Sequence, residues 1–203
     1  MSETGLRERK KRATRSALAA AALELAAERG VEHVTADDIA AAVGVSTRTF
    51  FNYFATKEEA FVADDVDRAH RFLAEFAALP LDSPPWLALR EVALRVVTDT
   101  DLPAREQALK ERVVRASPPV LLEQVSQYAK LEGQLVEELA RRCGEPADSL
   151  LPWLLASSVT AAIRAAAEAW LAAPAPIEFH DVLDAAFAQL APAFAHIPDP
   201  PGP

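Results

Sequence analysis

The chain has 203 residues, of which 51% are hydrophobic and 25% are charged, and its net charge is −9. Few glycines, a single cysteine (Cys143) and abundant alanine and leucine exclude a disulfide scaffold and a strand-rich fold, so the composition predicts an all-α protein. The longest charge-free apolar run, 150–163, is shorter than a membrane span, and the basic N-terminus lacks the apolar core of a signal peptide. We therefore expect a cytoplasmic protein with no membrane contact.

The charge is unevenly distributed along the chain. Residues 1–57 carry nine Lys and Arg against seven Asp and Glu, whereas residues 58–203 carry twelve against twenty-three. A basic arm at one end predicts a polyanion partner there, although charge alone favours the simpler interpretation of a solvated tail. The arm comprises Arg7, Arg9, Lys10, Lys11, Arg12 and Arg15.

Turn residues predict where the first two helices begin and end. An apolar stripe predicts a helix over residues 12–29, and Gly30 follows it as a helix-ending residue. Thr35 is expected to cap a short second helix, with Asp38 as the partner of a capping box. Gly44 is expected to close that helix.

Two further capping residues follow at once. Ser46 is expected to cap a short third helix over residues 47–53, and Thr56 a long fourth helix that ends near Leu79. Prolines separate the remaining helices, predicted for residues 86–100, 103–116, 118–143, 149–173 and 178–196. The predicted organisation is a basic arm and three-helix module over 1–56, a helical body over 57–197 and a disordered tail over 198–203.

The third helix, within "VSTRTFFNYF", separates aromatic from polar side chains. At 100° per residue, Phe50 and Phe54 lie about 40° apart and form an inward stripe, whereas Arg48 and Asn52 point away from it. A helix, a glycine-containing turn and a second short helix outline a helix-turn-helix, whose second helix enters the major groove of DNA. The alternative is a small three-helix arrangement with exposed polar groups and no DNA activity.

The outward side chains suit nucleic-acid chemistry. Arginine pairs with guanine O6 and N7, asparagine with adenine N6 and N7, and threonine methyls contact the thymine methyl. Threonine hydroxyls, the Tyr53 phenol and Lys57 are suited to phosphates.

The segment 12–61 resembles the DNA-binding module of the TetR family of bacterial transcriptional regulators. The shared pattern is an apolar helix ending in "ERG", then Thr35, then "IA..VGVS..T.F.YF..KE..F". The resemblance implies about nine helices: three that bind DNA, a ligand-binding body, and two final helices that pair with a second subunit. The proline-punctuated body resembles the branch that includes the mycofactocin regulator.

The resemblance also implies residue roles. Positions that match Thr47, Arg48 and Phe51 approach bases, and Asn52 joins them on the outward face. Phosphate contacts are implied for Thr35, Thr49, Tyr53 and Lys57. Two departures matter: Phe51 replaces a usual tyrosine, and Arg48 replaces a usually small residue and adds a guanine reader. Asp37 lies near the DNA side, where a negative charge opposes binding.

In the body, the residues expected to line a ligand pocket are Phe72, Phe76, Trp86, Tyr128, Trp153 and Arg164. Aromatic residues at helical spacing are also typical of a plain core. Arg164 is expected to hold an anionic ligand group, to pair with Glu168, or to cross a dimer seam.

Two apolar faces are expected to form a homodimer, unless they complete a monomer core instead. They comprise Leu155, Val159, Ala162, Ala166 and Trp170 on one helix, and Val182, Leu183, Ala186, Phe187 and Leu190 on the other.

Catalytic motifs are missing from the sequence. The four histidines lack metal-ligand spacing, and Asp64, Asp65 and Asp67 on one helix are typical of a solvated surface. We expect no enzyme, cofactor or metal. The predicted function is a ligand-responsive regulator, a repressor released from a palindromic DNA operator by a small-molecule effector. The alternatives are a carrier or enzyme with a vestigial module, and a protein-interaction module.

Overall fold

The computed structural model describes residues 3–98, 112, 116–175 and 177–195. These residues form helices and no strand, which confirms the all-α prediction. The helix predicted for 103–116 lies almost entirely outside the described residues, and so does the tail 198–203. The described helices are α1 (Glu3–Arg29), α2 (Ala36–Val43), α3 (Thr47–Phe51), α4 (Lys57–Ala78), α5 (Pro85–Thr98), α6 (Pro118–Cys143), α7 (Leu150–Ala172) and α8 (Phe179–Leu190), with 3₁₀ turns at Val31–His33 and Ala191–Phe194.

Two helix ends differ from the sequence prediction by more than two residues. Helix α1 begins at Glu3 instead of residue 12, because its extra residues include many Arg, Lys and Glu, which favour helix. The basic arm is therefore the first part of α1. Helix α8 ends at Leu190 and continues only as a 3₁₀ turn, because Pro192 has no N–H to donate to the helix.

The described residues fall into two compact units, and the division between them passes through α4 after Asp67 and through α6 after Gln127. The first unit contains the described residues within 1–67 and 103–127. Helix α2 packs between α1 and α3. Leu18, Ile39 and Phe50 are fully buried in this unit.

The second unit contains the described residues within 68–102 and 128–203. Helices α7 and α8 pack against each other and against α5. Trp86 lies against the rings of Phe187 and Phe194, with centroids 5.0 and 4.6 Å away. One continuous apolar cluster joins these helices with parts of α4 and α6.

Helix α7 is longer than the charge-free run that the sequence shows, because it continues through Arg164 and Glu168 to 23 residues. By length and composition it is apolar enough to cross a membrane, a test that core helices also pass. One face of α7 is buried in the core of the second unit, through Pro152, Leu155, Ala156, Val159, Ala162 and Ala166.

A buried arginine closes the end of α4. The side chain of Arg142 is fully buried and donates to the carbonyls of Phe76 at 2.6 Å, Leu79 at 2.9 Å and Pro80 at 2.9 Å. Its Nε donates to Glu138 at 2.8 Å, and its guanidinium lies 4.4 Å from the centroid of the Phe76 ring. These contacts supply donors to carbonyls at and just beyond the C-terminus of α4, and two of these carbonyls, those of Phe76 and Pro80, also accept from backbone N–H groups.

Candidate nucleic-acid interface

A capping box fixes the start of α2, as the sequence predicts. The Thr35 hydroxyl accepts from the Asp38 backbone N–H at 3.2 Å, and the Asp38 carboxylate accepts from the Thr35 N–H at 2.9 Å. The Thr35 hydroxyl also donates to that carboxylate. The hydrogen bonds from the Thr35 hydroxyl and backbone hold the pKa of Asp38 below its usual value.

The turn between α2 and α3 depends on one glycine. Gly44 has φ 73°, in the left-handed region that favours glycine, and its N–H donates to the end of α2. Ser46 then caps α3 by accepting from the Thr49 N–H at 3.1 Å. The turn and the cap together set the direction in which α3 leaves α2.

Helix α3 ends at Phe51 instead of residue 53, and a turn continues the chain to Phe54. Across α3 and this turn, buried and exposed side chains separate as the helical wheel predicts. Phe50 and Phe54 are buried, with ring centroids 5.5 Å apart. Arg48 and Asn52 are exposed, and Phe51 is 54% exposed although its ring meets the edge of Phe50. An exposed phenyl ring beside a guanidinium and an amide forms a mixed apolar and polar surface.

The structure assigns Arg15 a place that the sequence did not indicate. Its guanidinium forms an ion pair with Asp67 on α4 and lies 4.9 Å from the centroid of the Phe54 ring. Arg15 was predicted as part of a free basic arm, but it braces α1 against α4 and the end of α3. The remaining arm residues that the structure shows as exposed are Arg7, Arg9, Lys10, Lys11 and Arg12.

Four of the predicted DNA-contacting side chains have partners within the protein, and one of them is Thr35, which bonds to Asp38. The Lys57 ammonium donates to the carbonyls of Val31 at 3.0 Å and Val34 at 2.8 Å, which leaves one of its three hydrogens. The Thr49 hydroxyl bonds to the Ser46 hydroxyl at 2.8 Å.

The fourth is Thr47. Its hydroxyl donates to Asp37 at 2.5 Å. The remaining predicted residue, Tyr53, is half-buried.

The predicted pocket-lining residues do not converge on one described site. Phe72, Phe76 and Trp86 belong to the buried core of the second unit, and Tyr128 is half-buried. Trp153 is 45% exposed, and its indole N–H donates to the Ala147 carbonyl at 3.1 Å.

Arg164 is also exposed, on the outward side of α7. An open surface groove of about 510 Å³ lies elsewhere, and none of the six predicted ligand residues lines it. Its lining comprises Leu87, Arg90, Glu91, Leu94, Arg95 and His180.

Several of the residues predicted as dimer faces lie in the core of their own chain, and a dimer through these two helices stays a prediction. Leu155 and Val159 on α7, and Leu183 and Phe187 on α8, are at most 2% exposed without any partner chain. The alternative drawn from the sequence, that these faces complete a monomer core, holds for these four residues. A helical stripe shows that a face is buried and does not show what covers it.

Helices α1, α2 and α3 form a helix-turn-helix module. Its turn contains a glycine in the left-handed conformation, and the short helix after the turn exposes polar side chains. The sequence comparisons assign a family. Residues 18–63 match the family of bacterial regulatory proteins named tetR, and residues 83–195, more than half of the chain, match the MftR C-terminal domain. The chain belongs to the TetR family of bacterial transcriptional regulators, with a body of the MftR type, and its class is regulatory rather than enzymatic.

Curated relatives agree with this family. The chain is 37% identical over 150 residues to the HTH-type transcriptional regulator TcmR of Streptomyces glaucescens, which covers 71% of the chain and 66% of TcmR. The chain thus spans about two thirds of the length of that relative. It is 29% identical over 154 residues to MftR of Mycobacterium tuberculosis, a regulator named for mycofactocin biosynthesis, with 74% of the chain and 76% of MftR covered.

Solved structures share the fold. A TetR-family regulator from Rhodococcus sp. superposes with a TM-score of 0.59 at 20% identity, covering 89% of this chain and 98% of that one. A second regulator, from Rhodococcus sp. Rha1, gives a TM-score of 0.51 at 21% identity, covering 91% and 99%. At these identities the comparison establishes the fold alone.

Proposed function

We propose that the chain is a cytoplasmic, ligand-responsive repressor that binds a palindromic DNA operator as a homodimer. The observation that carries the proposal is the division of side chains across α3 and the turn after it, which buries Phe50 and Phe54 and exposes Arg48, Phe51 and Asn52. A short helix anchored on one side by rings, with a guanidinium and an amide on the other, is suited to the major groove.

Within this proposal, four side chains read bases: Thr47, Arg48, Phe51 and Asn52. Arg48 accounts for recognition of a guanine, and Phe51 offers only apolar contact, such as with a thymine methyl. The phosphate contacts fall to Thr35, Thr49, Tyr53 and Lys57. Lys57 holds the 3₁₀ turn through two carbonyls, which leaves one hydrogen for a phosphate of the DNA backbone.

The proposed dimer uses the outward side of α7. Leu154 is 47% exposed, and Ser157, Ala161 and Ala165 continue the same side with small side chains, which allow close approach of a second helix. Arg164 lies beside this stripe and is available to a partner subunit. A two-fold dimer places two recognition helices about 34–36 Å apart, one turn of DNA.

The effector is proposed to bind in the body, where Phe72, Phe76, Trp86 and Tyr128 supply apolar and aromatic surface. Its binding would favour a conformation in which the two DNA-binding modules no longer match the operator spacing. A ligand can shift that equilibrium only by the difference between its affinities for the two conformations. Trp153 and Arg164, which lie on the outward side of α7, are better suited to the dimer seam than to the pocket.

The proposal is tested by fluorescence anisotropy with duplex DNA from the region upstream of the gene. We expect binding that weakens steeply with salt, because each neutralised phosphate releases counterions. Arg95→Ala, a surface change in the body, serves as the control and should leave the affinity unchanged. An absence of binding at low salt, with the folded protein in excess, would refute the assignment as a DNA-binding repressor.

A further inference from the structure

An acidic side chain lies directly on the proposed reading surface. Asp37 is in the first turn of α2, is exposed, and accepts a hydrogen bond from the Thr47 hydroxyl at 2.5 Å. Thr47 is the first residue of α3, and the N-terminal residues of a recognition helix are those that meet base edges. A carboxylate at this point repels the phosphates of DNA. Its presence is therefore better explained by an effect on which base is bound than by an effect on affinity.

The hydrogen bond fixes what this pair offers to DNA. A carboxylate can only accept hydrogen bonds, so the single hydroxyl hydrogen of Thr47 is directed at Asp37. The other carboxylate oxygen of Asp37, the two lone pairs of the Thr47 hydroxyl and the Thr47 methyl group are left for the DNA. Together they supply acceptors and an apolar group, and no donor.

The bases differ in the hydrogen-bonding groups that they present to such a surface in the major groove. Guanine presents only acceptors there, at N7 and O6, whereas cytosine and adenine each present an amino donor and thymine presents a methyl group. An acceptor-only surface facing guanine brings like partial charges together and leaves both sides without hydrogen bonds. Such unpaired polar groups are what make specificity by exclusion effective.

We propose that Asp37 is a specificity-determining residue that, by holding the Thr47 hydroxyl hydrogen, excludes guanine at the base that this pair faces. The inference rests on the proposed function, since it concerns the operator that the module reads. Arg48 selects guanine at one position, and the Asp37–Thr47 pair rejects it at another. The half-site therefore has both a favoured and a forbidden guanine.

A purely structural brace between α2 and α3 is the competing explanation of the same contact. Loss of such a brace would weaken binding to every sequence alike, or lower the stability of the module. Only a role in specificity changes the base preference at one position and leaves the others as they were. Base preference is thus the readout that separates the two.

The experiment is selection from a duplex library with a random core, followed by sequencing of the bound fraction. The wild type is compared with Asp37→Asn, whose amide keeps the shape, can still accept from Thr47, and adds donors. Glu32→Gln is the matched control, because it removes one exposed acidic charge from the same module without touching Thr47. Thr47→Val adds no donor and keeps Asp37.

We expect the wild type and the control to deplete guanine at one position per half-site. Asp37→Asn should raise the guanine fraction at that position by about tenfold relative to the others. Thr47→Val should keep guanine excluded. If thermal unfolding shows that Asp37→Asn is not folded, Asp37→Ser provides the added donor instead.

The possible outcomes test the proposed function and the role of Asp37 separately. A folded wild type that enriches no sequence overturns the proposed function, and this inference with it. A wild-type motif that Asp37→Asn reproduces without change, or binds uniformly more weakly or more tightly, overturns the role of Asp37 alone. A rise in guanine that also occurs with Glu32→Gln likewise overturns it, since it would follow from charge and not from the pair.

Discussion

Replacement of Arg142 by methionine is the sharpest test of how the body is held together. The side chain is fully buried, and it is the donor to three carbonyls at the end of α4 as well as to Glu138. Methionine retains much of the volume and the contact with the Phe76 ring, but it donates no hydrogen bond. The variant therefore isolates the polar contribution from the packing.

The expected loss of unfolding free energy follows from the polar groups that lose their hydrogen bonds to Arg142. Removal of one partner of a buried ion pair costs about 3–5 kcal/mol, and a buried carbonyl left without a donor contributes about 1–3 kcal/mol of its own unless water reaches it. The carbonyls of Phe76 and Pro80 keep their backbone N–H donors, so this second contribution applies to Leu79. Because these contributions overlap at a single site, we expect a loss of about 3–5 kcal/mol. The adjacent Arg141 pairs with the same Glu138 but is half-exposed, so Arg141→Met should cost less than about 1 kcal/mol.

The assay is urea unfolding followed by tryptophan fluorescence, since Trp86, Trp153 and Trp170 all lie in the second unit. With an m-value of about 2 kcal/mol/M, Arg142→Met should lower the midpoint by about 2 M. Equal midpoints for Arg142→Met and Arg141→Met would refute the argument, because only the buried arginine closes the end of α4.

Three further predictions concern the DNA-binding module. Thr35→Val removes the hydrogen bond that most lowers the pKa of Asp38, so an NMR titration should show that pKa rising. Because the pKa of Asp38 is lowered in the folded state, the hydrogen bond stabilises the fold at pH values above the unfolded-state pKa. The difference in unfolding free energy between wild type and Thr35→Val should therefore shrink as pH falls below about 4. A difference that widens there would contradict this. Gly44→Ala should lower stability by about 1–2 kcal/mol through backbone strain alone, since nothing lies within 4 Å of the added Cβ; an unchanged melting temperature would argue against the left-handed turn. Asp67→Asn should cost less than about 1 kcal/mol in urea unfolding, because its pair with Arg15 is partly exposed, and a larger loss would show that this brace is essential.

Local signals in the sequence predicted local structure well. The caps at Thr35 and Ser46 and the left-handed turn at Gly44 each depend on groups a few residues apart. The burial of Phe50 and Phe54 follows from helical periodicity, which is fixed by geometry.

Contacts between distant residues were not predictable in the same way. Arg15 and Asp67 are 52 residues apart, and no pattern in the sequence links them. Arg142 is charged, and charged side chains are almost always exposed, so its burial depends on the carbonyls that the fold brings to it. The apolar stripe through Leu155 and Val159 is the same pattern for a core as for a dimer seam, and only packing against α8 distinguishes the two.

The central claim is that the exposed face of α3 reads bases through Arg48. The most direct measurement compares the affinities of wild type and Arg48→Ala for the selected operator and for duplexes in which each guanine is replaced in turn. For the wild type, we expect replacement of one guanine per half-site to cost about 1–3 kcal/mol of binding free energy. Arg48→Ala should bind the intact duplex and the duplex replaced at that position equally well. If Arg48→Ala retains the wild-type discrimination at every guanine, α3 does not read DNA through this face.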